Sequence, residues 1–407
     1  MNLSIRQMQL FRTVAEAGSF SEAALRLHLS QPALSAAIRK LEETLEVKLF
    51  DRTTRRIALT PEGQELLRLS ARLIDEFEAV TGDLRDYLAV SMHIHVAVRP
   101  VDDLSAAAGP GRILLGTRAD RADLPLLSGD GPRGFRLDVG DTIAITGYDS
   151  AGVFQGSISL EDQMNIRHAP FLKRGTSARR PLFSPRMTHS GFGLDQFPDE
   201  HLAAIAHAGL DAILVFVKDV DTTPYGYLDF NDLCYRAAGY GLDVYAYSYL
   251  VSQMHPEDPG AESYYDKIYG SVFAACPAFK GIVMVGESVE FPSRDPRTTG
   301  QSHRTPSPDG LPRSKPSPGW WPCSDYPQWV SLVRDTVRRY RSDADIVFWT
   351  YNWGYVDEAY RLELLDRLPT DITLLVTFEM FEKLKTGPVT STCVDYTLMF
   401  EGPGRYF

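Results

Sequence analysis

Through the first ninety positions apolar residues recur at intervals of three and four, and after them short alternating runs take over. Leu10, Val14 and Ala17 predict a first amphipathic helix, and Ala23, Ala24 and Leu27 predict a second. Ser30 stands where a third helix needs an N-cap, with Gln31 and Pro32 opening that helix. Its buried stripe is Leu34, Ile38, Leu41 and Leu45. Phe50 to Leu59 reads as two short strands around a turn at Thr53 and Thr54. From Pro61 to Val90 the residues Leu66, Leu69, Leu73, Phe77, Val80, Leu84 and Tyr87 step by three or four, a heptad-like seam flanked by charged side chains.

The other face of the third helix carries Gln31, Pro32, Ser35, Ala36, Arg39 and Lys40. A helix that enters the DNA major groove needs this mixture. Small residues allow close approach, Gln and Arg bond base edges, and Pro or Ala can touch a thymine methyl. Arg52, Arg55 and Arg56 cluster at the strand turn, where they would meet phosphates or the minor groove. Charge agrees locally: up to Pro61 there are nine Lys and Arg against six Asp and Glu, whereas the whole chain carries −11. An acidic protein can still bind DNA through one basic face.

The stretch FRTVAEAGSFSEAALRLHLSQPALSAAIRKLE, followed by LFDRTTRRIALTPEG, closely resembles the N-terminal domain of LysR-type transcriptional regulators over roughly the first ninety residues. The resemblance implies a winged helix-turn-helix whose DNA contacts are Gln31, Pro32, Ser35, Ala36, Arg39 and the wing arginines. It also implies that the helix over 61–90 pairs two subunits, so that a homodimer meets two half-sites on double-stranded DNA.

A regulator of that family continues into a two-lobed effector domain, and this chain departs from that pattern. Residues 94–160 hold short β-type runs, HIHVAV, RILLGT, FRLDVG, DTIAITGYD and GVFQGSISL, with a helical EDQMNIRH after them. They predict a small α+β domain over 92–178. From 179 to 407 strand and helix alternate, from PLFSPRM to CVDYTLMF, with seven strand candidates. Such alternation implies parallel strands and, at this number, a TIM-type (β/α)8 barrel lacking its last strand. The fold class expected is therefore multidomain: an all-α winged helix-turn-helix (1–60), a linker helix (61–90), an α+β domain and an α/β barrel. The missing eighth strand could come from the FQGSISL region, from a partner, or reflect a truncated fusion.

GRILLGT, FRLDVGDTIAITGYDSAGVFQG and the strand ending in Arg186 resemble the layout of the β-hexosaminidase and α-glucuronidase superfamilies. Barrel enzymes act at the C-terminal ends of their strands. Glycoside hydrolysis needs two carboxylates there, one held protonated, with aromatic platforms beside them. Glu287 is the candidate acid, with Glu290 or Glu379 as the second carboxylate. Arg186 would anchor a hydroxyl or carboxylate, and Trp321, Trp349 and Trp353 would stack on a sugar ring. Residues 292–328 form a Pro/Ser/Arg-rich connection ending in PGWWPCSDYP, an apolar end expected to fold over the barrel mouth.

Other classes recede. No apolar run approaches the ~20 residues of a membrane span, and the first residues lack a signal core. The four cysteines, Cys234, Cys276, Cys323 and Cys393, include no CxxC pair, which suits a reducing cytoplasm without a zinc site. No HxH or HExxH spacing suggests a metal, no GxGxxG follows a strand, and no cofactor is implied. The reading that follows is a cytoplasmic, sequence-specific DNA-binding regulator of LysR type, more a sensor of a carbohydrate than an enzyme. Two alternatives stay open: a glycoside hydrolase carrying a DNA-binding segment, and a fusion whose C-terminal part is vestigial.

Overall fold

The computed structural model describes residues 4–401 apart from 53–56, 102, 122–123, 125–130, 190–195, 287–288, 290, 292, 296–303, 307–311, 315–322, 350–357, 379–382, 387 and 393–395. The chain divides into two compact units. The first is Met1–Arg186 with Asp199–Asp211 and Tyr235–Leu242, and the second is Met187–Pro198, Ala212–Cys234 and Asp243–Phe407. Two short segments beyond residue 179, expected in the barrel, thus group with the N-terminal unit.

The first unit opens with helices α1 (Ile5–Ala17), α2 (Phe20–Arg26) and α3 (Gln31–Leu45), the antiparallel strands β1 (Phe50–Arg52) and β2 (Ile57–Leu59), and the long helix α4 (Pro61–Ser91). Each helix start has a chemical reason. Ser4 and Gln7 form a reciprocal capping box on α1, and Ser19, Ser30 and Thr60 accept amide bonds at the starts of α2, α3 and α4. Gly18, at φ +60, ends α1 in the left-handed conformation that glycine adopts without a Cβ penalty.

A second layer follows: β3 (Arg112–Thr117), β4 (Phe135–Val139), β5 (Thr142–Gly147), helix α5 (Ser150–Arg167) and β6 (Gly175–Arg179). The sheet order is β3-β5-β4-β6, with β3 parallel to β5 and the other pairs antiparallel. Three of the expected strands stand here, but two do not. HIHVAV belongs to no strand, and GVFQGSISL lies inside α5. The FQGSISL region therefore cannot supply a missing barrel strand.

The physical reason is burial on nearly every side. Gly152, Val153, Phe154 and Gly156 to Glu161 are all buried. A continuous apolar or small run cannot be told from a buried strand by periodicity. What decides for a helix is Asp149, whose Oδ1 accepts the Gly152 amide at 2.7 Å. The two glycines let the helix lie close to its sheet: a Cβ at Gly152 would sit 2.2 Å from the Gly134 carbonyl, and one at Gly156 2.4 Å from Ile145.

Helix α6 (Asp199–His207) completes this unit together with Tyr235–Leu242. The Tyr87 hydroxyl ties α4 to α5 by donating to the Glu161 carbonyl (3.0 Å) and Asn165 Oδ1 (2.8 Å). His207 faces Asp83 of α4 and Glu161 of α5, and the two carboxylates push its imidazole up to about 11. Burial raises the Glu161 carboxyl above its ordinary value, against the lowering effect of His207.

The second unit is a parallel α/β layer. In chain order its elements are β7 (Met187–His189), β8 (Ala212–Val217), the ribbon β9 (Thr222–Thr223) and β10 (Gly226–Tyr227), α7 (Phe230–Gly239), whose end from Tyr235 on belongs to the first unit, and β11 (Asp243–Ser248). Next come α8 (Ala261–Tyr265), a π-helical turn, α9 (Ser271–Ala275), β12 (Gly281–Val285) and the ribbon β13 (Arg304–Pro306) and β14 (Pro312–Ser314). Then α10 (Tyr326–Tyr340), β15 (Asp345–Trp349), α11 (Glu358–Arg367) and β16 (Thr373–Phe378) lead to the ribbon β17 (Lys383–Thr386) and β18 (Val389–Thr392), and to β19 (Tyr396–Glu401).

The sheet order is β19-β16-β15-β12-β11-β8-β7. The pairs from β7 to β16 are parallel, as the strand–helix alternation predicts. Strands β8 and β12 are buried along their whole length, the pattern of a sheet covered on both faces. The last strand differs from expectation: β19, from the CVDYTLMF segment, pairs antiparallel with β16. A parallel return needs a crossover, usually helical. The described elements between β16 and β19 are a ribbon instead. Among the described strands none pairs β7 with β19, and the sheet is an α/β parallel layer with an antiparallel edge. The first expected strand is also shorter: PLFSPR precedes β7, which starts at Met187. Among the described residues no helix is long and apolar enough to cross a membrane.

The close approach of α5 generates a first prediction. Gly152→Ala should lower the urea midpoint of unfolding by the equivalent of about 1–3 kcal/mol, because the obstacle is backbone that cannot rotate away. An unchanged midpoint would mean that α5 has room to shift.

Candidate nucleic-acid interface

The N-terminal helices are held by one apolar core of Phe11, Val14, Ala23, Ala24, Leu34, Ile38, Leu41, Leu49 and Phe50 with their neighbours. Phe50 anchors the wing, its ring lying 5.3 Å from Phe11 and 5.9 Å from Phe20. With Leu34, Ile38 and Leu41 facing this core, α3 turns the opposite side outward. Gln31, Pro32, Ala36, Arg39 and Lys40 are exposed, and Ser35 is half-buried. The structure thus brings together on one helix face all six positions expected there.

A buried carboxylate that sequence reasoning passed over fixes the wing. Glu42 is 3% exposed. Its Oε1 accepts the Leu49 amide at 2.9 Å and the Phe50 amide at 3.4 Å, and Lys48 Nζ lies 3.7 Å from Oε2. The signal was available: Glu42 follows Ile38 by one helical turn and so stands on the buried face. Thr60 links wing and linker, its hydroxyl donating to the Lys48 carbonyl (2.6 Å) and accepting the Gly63 amide (2.9 Å). Strands β1 and β2 align Phe50 with Leu59, Asp51 with Ala58 and Arg52 with Ile57. Arg55 and Arg56, and the side chain of Arg52, lie outside the described residues.

The linker helix divides its apolar seam. Leu66, Ile74, Val80, Leu84 and Leu88 are buried within the unit, whereas Leu69 is 48% exposed. Leu73, Phe77 and Tyr87 are half-buried.

Of the candidates in the second region, Glu287, Glu290, Glu379, Trp321 and Trp353 lie outside the described residues. Arg186 donates its amide and Nε to buried Asp211 (2.5 and 3.1 Å), and Asp211 returns its own amide to the Arg186 carbonyl (2.9 Å). That side chain is fixed by an internal ion pair. Trp349 is half-buried at the C-terminal end of β15, 6.2 Å from the Tyr247 ring. Tyr247 is in turn 4.7 Å from Phe216, which lies 5.8 Å from His189. These rings form a row across the C-terminal ends of four parallel strands. Phe216 was not singled out from sequence, because a phenylalanine inside AILVFV reads simply as core.

Three helices on one core, an outward polar face on the third and a two-stranded wing define a winged helix-turn-helix. Residues 5–64 match the model of the bacterial regulatory helix-turn-helix proteins of the lysR family. An HTH-type transcriptional regulator from the ibpB-leuC intergenic region of Azotobacter vinelandii is 38% identical over 24% of this chain and 72% of its own length. The chain belongs to this family through its N-terminal domain. The regulator YfeR of Shigella flexneri is 45% identical over 20% of this chain, and the chain spans only 27% of YfeR. A solved structure of Vibrio fischeri DarR in complex with DNA is 32% identical over 22% of this chain and 31% of that chain, with a TM-score of 0.21.

Removing the Glu42 carboxylate tests the wing anchor. Glu42→Ala leaves two buried amides without an acceptor and should cost about 1–3 kcal/mol in chemical denaturation. Glu42→Gln keeps an acceptor oxygen and should lose clearly less. Equal losses would show that volume, not the hydrogen bonds, matters at this position.

Proposed function

We propose that the chain is a sequence-specific DNA-binding transcriptional regulator of LysR type that works in the cytoplasm as a homodimer. The observation that carries this reading is the outward face of α3, with Gln31, Pro32, Ala36, Arg39 and Lys40 exposed opposite a fully buried apolar stripe. Arg39 and Gln31 would read base edges, Pro32 and Ala36 would allow close approach, and Lys40 with the wing residues Arg52, Arg55 and Arg56 would hold phosphates. Helix α4 is the dimerisation element in this reading, with Leu69 on its free side.

The second unit is assigned the ligand-responsive role. Ligands bind such sheets outside the carboxyl ends of the strands. Of the rings there, the exposed His189 and the half-buried Trp349 would be the ones open to a ligand, with Phe216 and Tyr247 packed beneath them. The hydrolase reading depends on Glu287, Glu290 and Glu379, and no observation among the described residues favours it.

On a preferred site obtained by selection from genomic fragments, Arg39→Ala should weaken binding by about 1–3 kcal/mol while affecting random DNA much less. Arg55→Ala should weaken both alike and reduce the salt dependence by about one counterion. Equal losses for Arg39→Ala on both DNAs would remove Arg39 as a base reader. Leu69→Asp should shift the full chain toward monomer in light scattering while leaving its helical circular-dichroism signal unchanged. An unaltered mass would place the dimer interface elsewhere.

A further inference from the structure

Asp83 of α4, Glu161 of α5 and His207 of α6 converge within the first unit, and their three ligand-capable atoms all lie within 4.8 Å of one another. His207 Nε2 is 3.1 Å from Glu161 Oε2 and 3.4 Å from Asp83 Oδ2. His207 Nδ1 is 2.8 Å from the Ala203 carbonyl oxygen, the contact of a donated bond that leaves Nε2 as the atom facing the carboxylates. That backbone bond orients the ring as metal-bound histidines are oriented.

One fact points to a ligand beyond the convergence itself. The Glu161 side chain is 3% exposed, and its Oε1 has no hydrogen-bond partner. Asp83 Oδ2 is likewise buried without one, since it lies within ion-pair reach of the imidazole but outside hydrogen-bond geometry. Buried carboxylate oxygens without donors are costly. A single proton on Nε2 can satisfy only one of the two carboxylates around it, whereas a dication can take one oxygen from each. The two separations also fit a metal: bonds of ~2.0–2.1 Å in tetrahedral geometry set ligand atoms about 3.3 Å apart.

We propose that Asp83, Glu161 and His207 bind a first-row divalent transition ion, with Zn²⁺ the best fit to one imidazole and two carboxylates. Calcium and magnesium are disfavoured because both prefer an all-oxygen shell. The site would join the linker helix to α5 and α6. No sequence motif reveals it, because the ligands come from three helices and are separated by 78 and 46 positions.

The test uses the untagged full chain, stripped with chelator and titrated with Zn²⁺ by calorimetry and with Co²⁺ by visible absorption. One ion per chain and a rise in melting temperature are expected. Glu161→Gln and His207→Gln should each weaken binding by about a hundredfold or more, given that loss of an outer-shell partner alone costs ~10–100-fold. Should either variant fail to fold, X-ray absorption of the wild-type Co²⁺ complex still decides. One imidazole nitrogen with oxygen neighbours supports the site. A sulfur-containing or all-oxygen shell, affinities unchanged in the variants, or no stoichiometric uptake would each overturn it. The result is independent of whether the chain binds DNA.

Discussion

What the N-terminal domain can offer to DNA is decided by how α3 is anchored. Leu34, Ile38 and Leu41 go into the core, so the residues between them must face outward. Glu42 ends that stripe and takes up the Leu49 and Phe50 amides, which would otherwise be buried donors without partners at the start of the wing. A helix rotated by one residue would lose both the apolar burial and this anchor. The outward face of α3 and the wing are therefore set together, and Thr60 passes the same register on to α4.

This part of the molecule was legible because local and tertiary signals agree. Caps at Ser4, Ser19, Ser30 and Thr60, the helical spacing of the apolar residues and the glycine stop at Gly18 all lead to the same elements. The alternating parallel layer was legible for a similar reason, since strands such as AILVFV and GIVMV are too apolar to be anything but covered on both faces.

The failures have identifiable causes. In GVFQGSISL an almost wholly buried helix shows no amphipathic period, and the Asp149 cap with two small residues at Gly152 and Gly156 was the only local clue. The direction of β19 depends on the connection before it, whose described elements are a ribbon, and strand propensity does not reveal that. Arg186 reads from sequence as an anchor for a ligand hydroxyl or carboxylate, yet its carboxylate partner is Asp211, 25 residues later. The convergence of Asp83, Glu161 and His207 is a tertiary fact with no sequence spacing behind it.

The central claim is that α3 reads DNA in the major groove as one of a pair. Hydroxyl-radical and methylation footprinting of the full chain on a selected genomic fragment tests it most directly. The account predicts two protected major-groove patches on one face of the duplex, separated by about one helical turn or a multiple of it. Diffuse protection that vanishes with salt, or none, would contradict it.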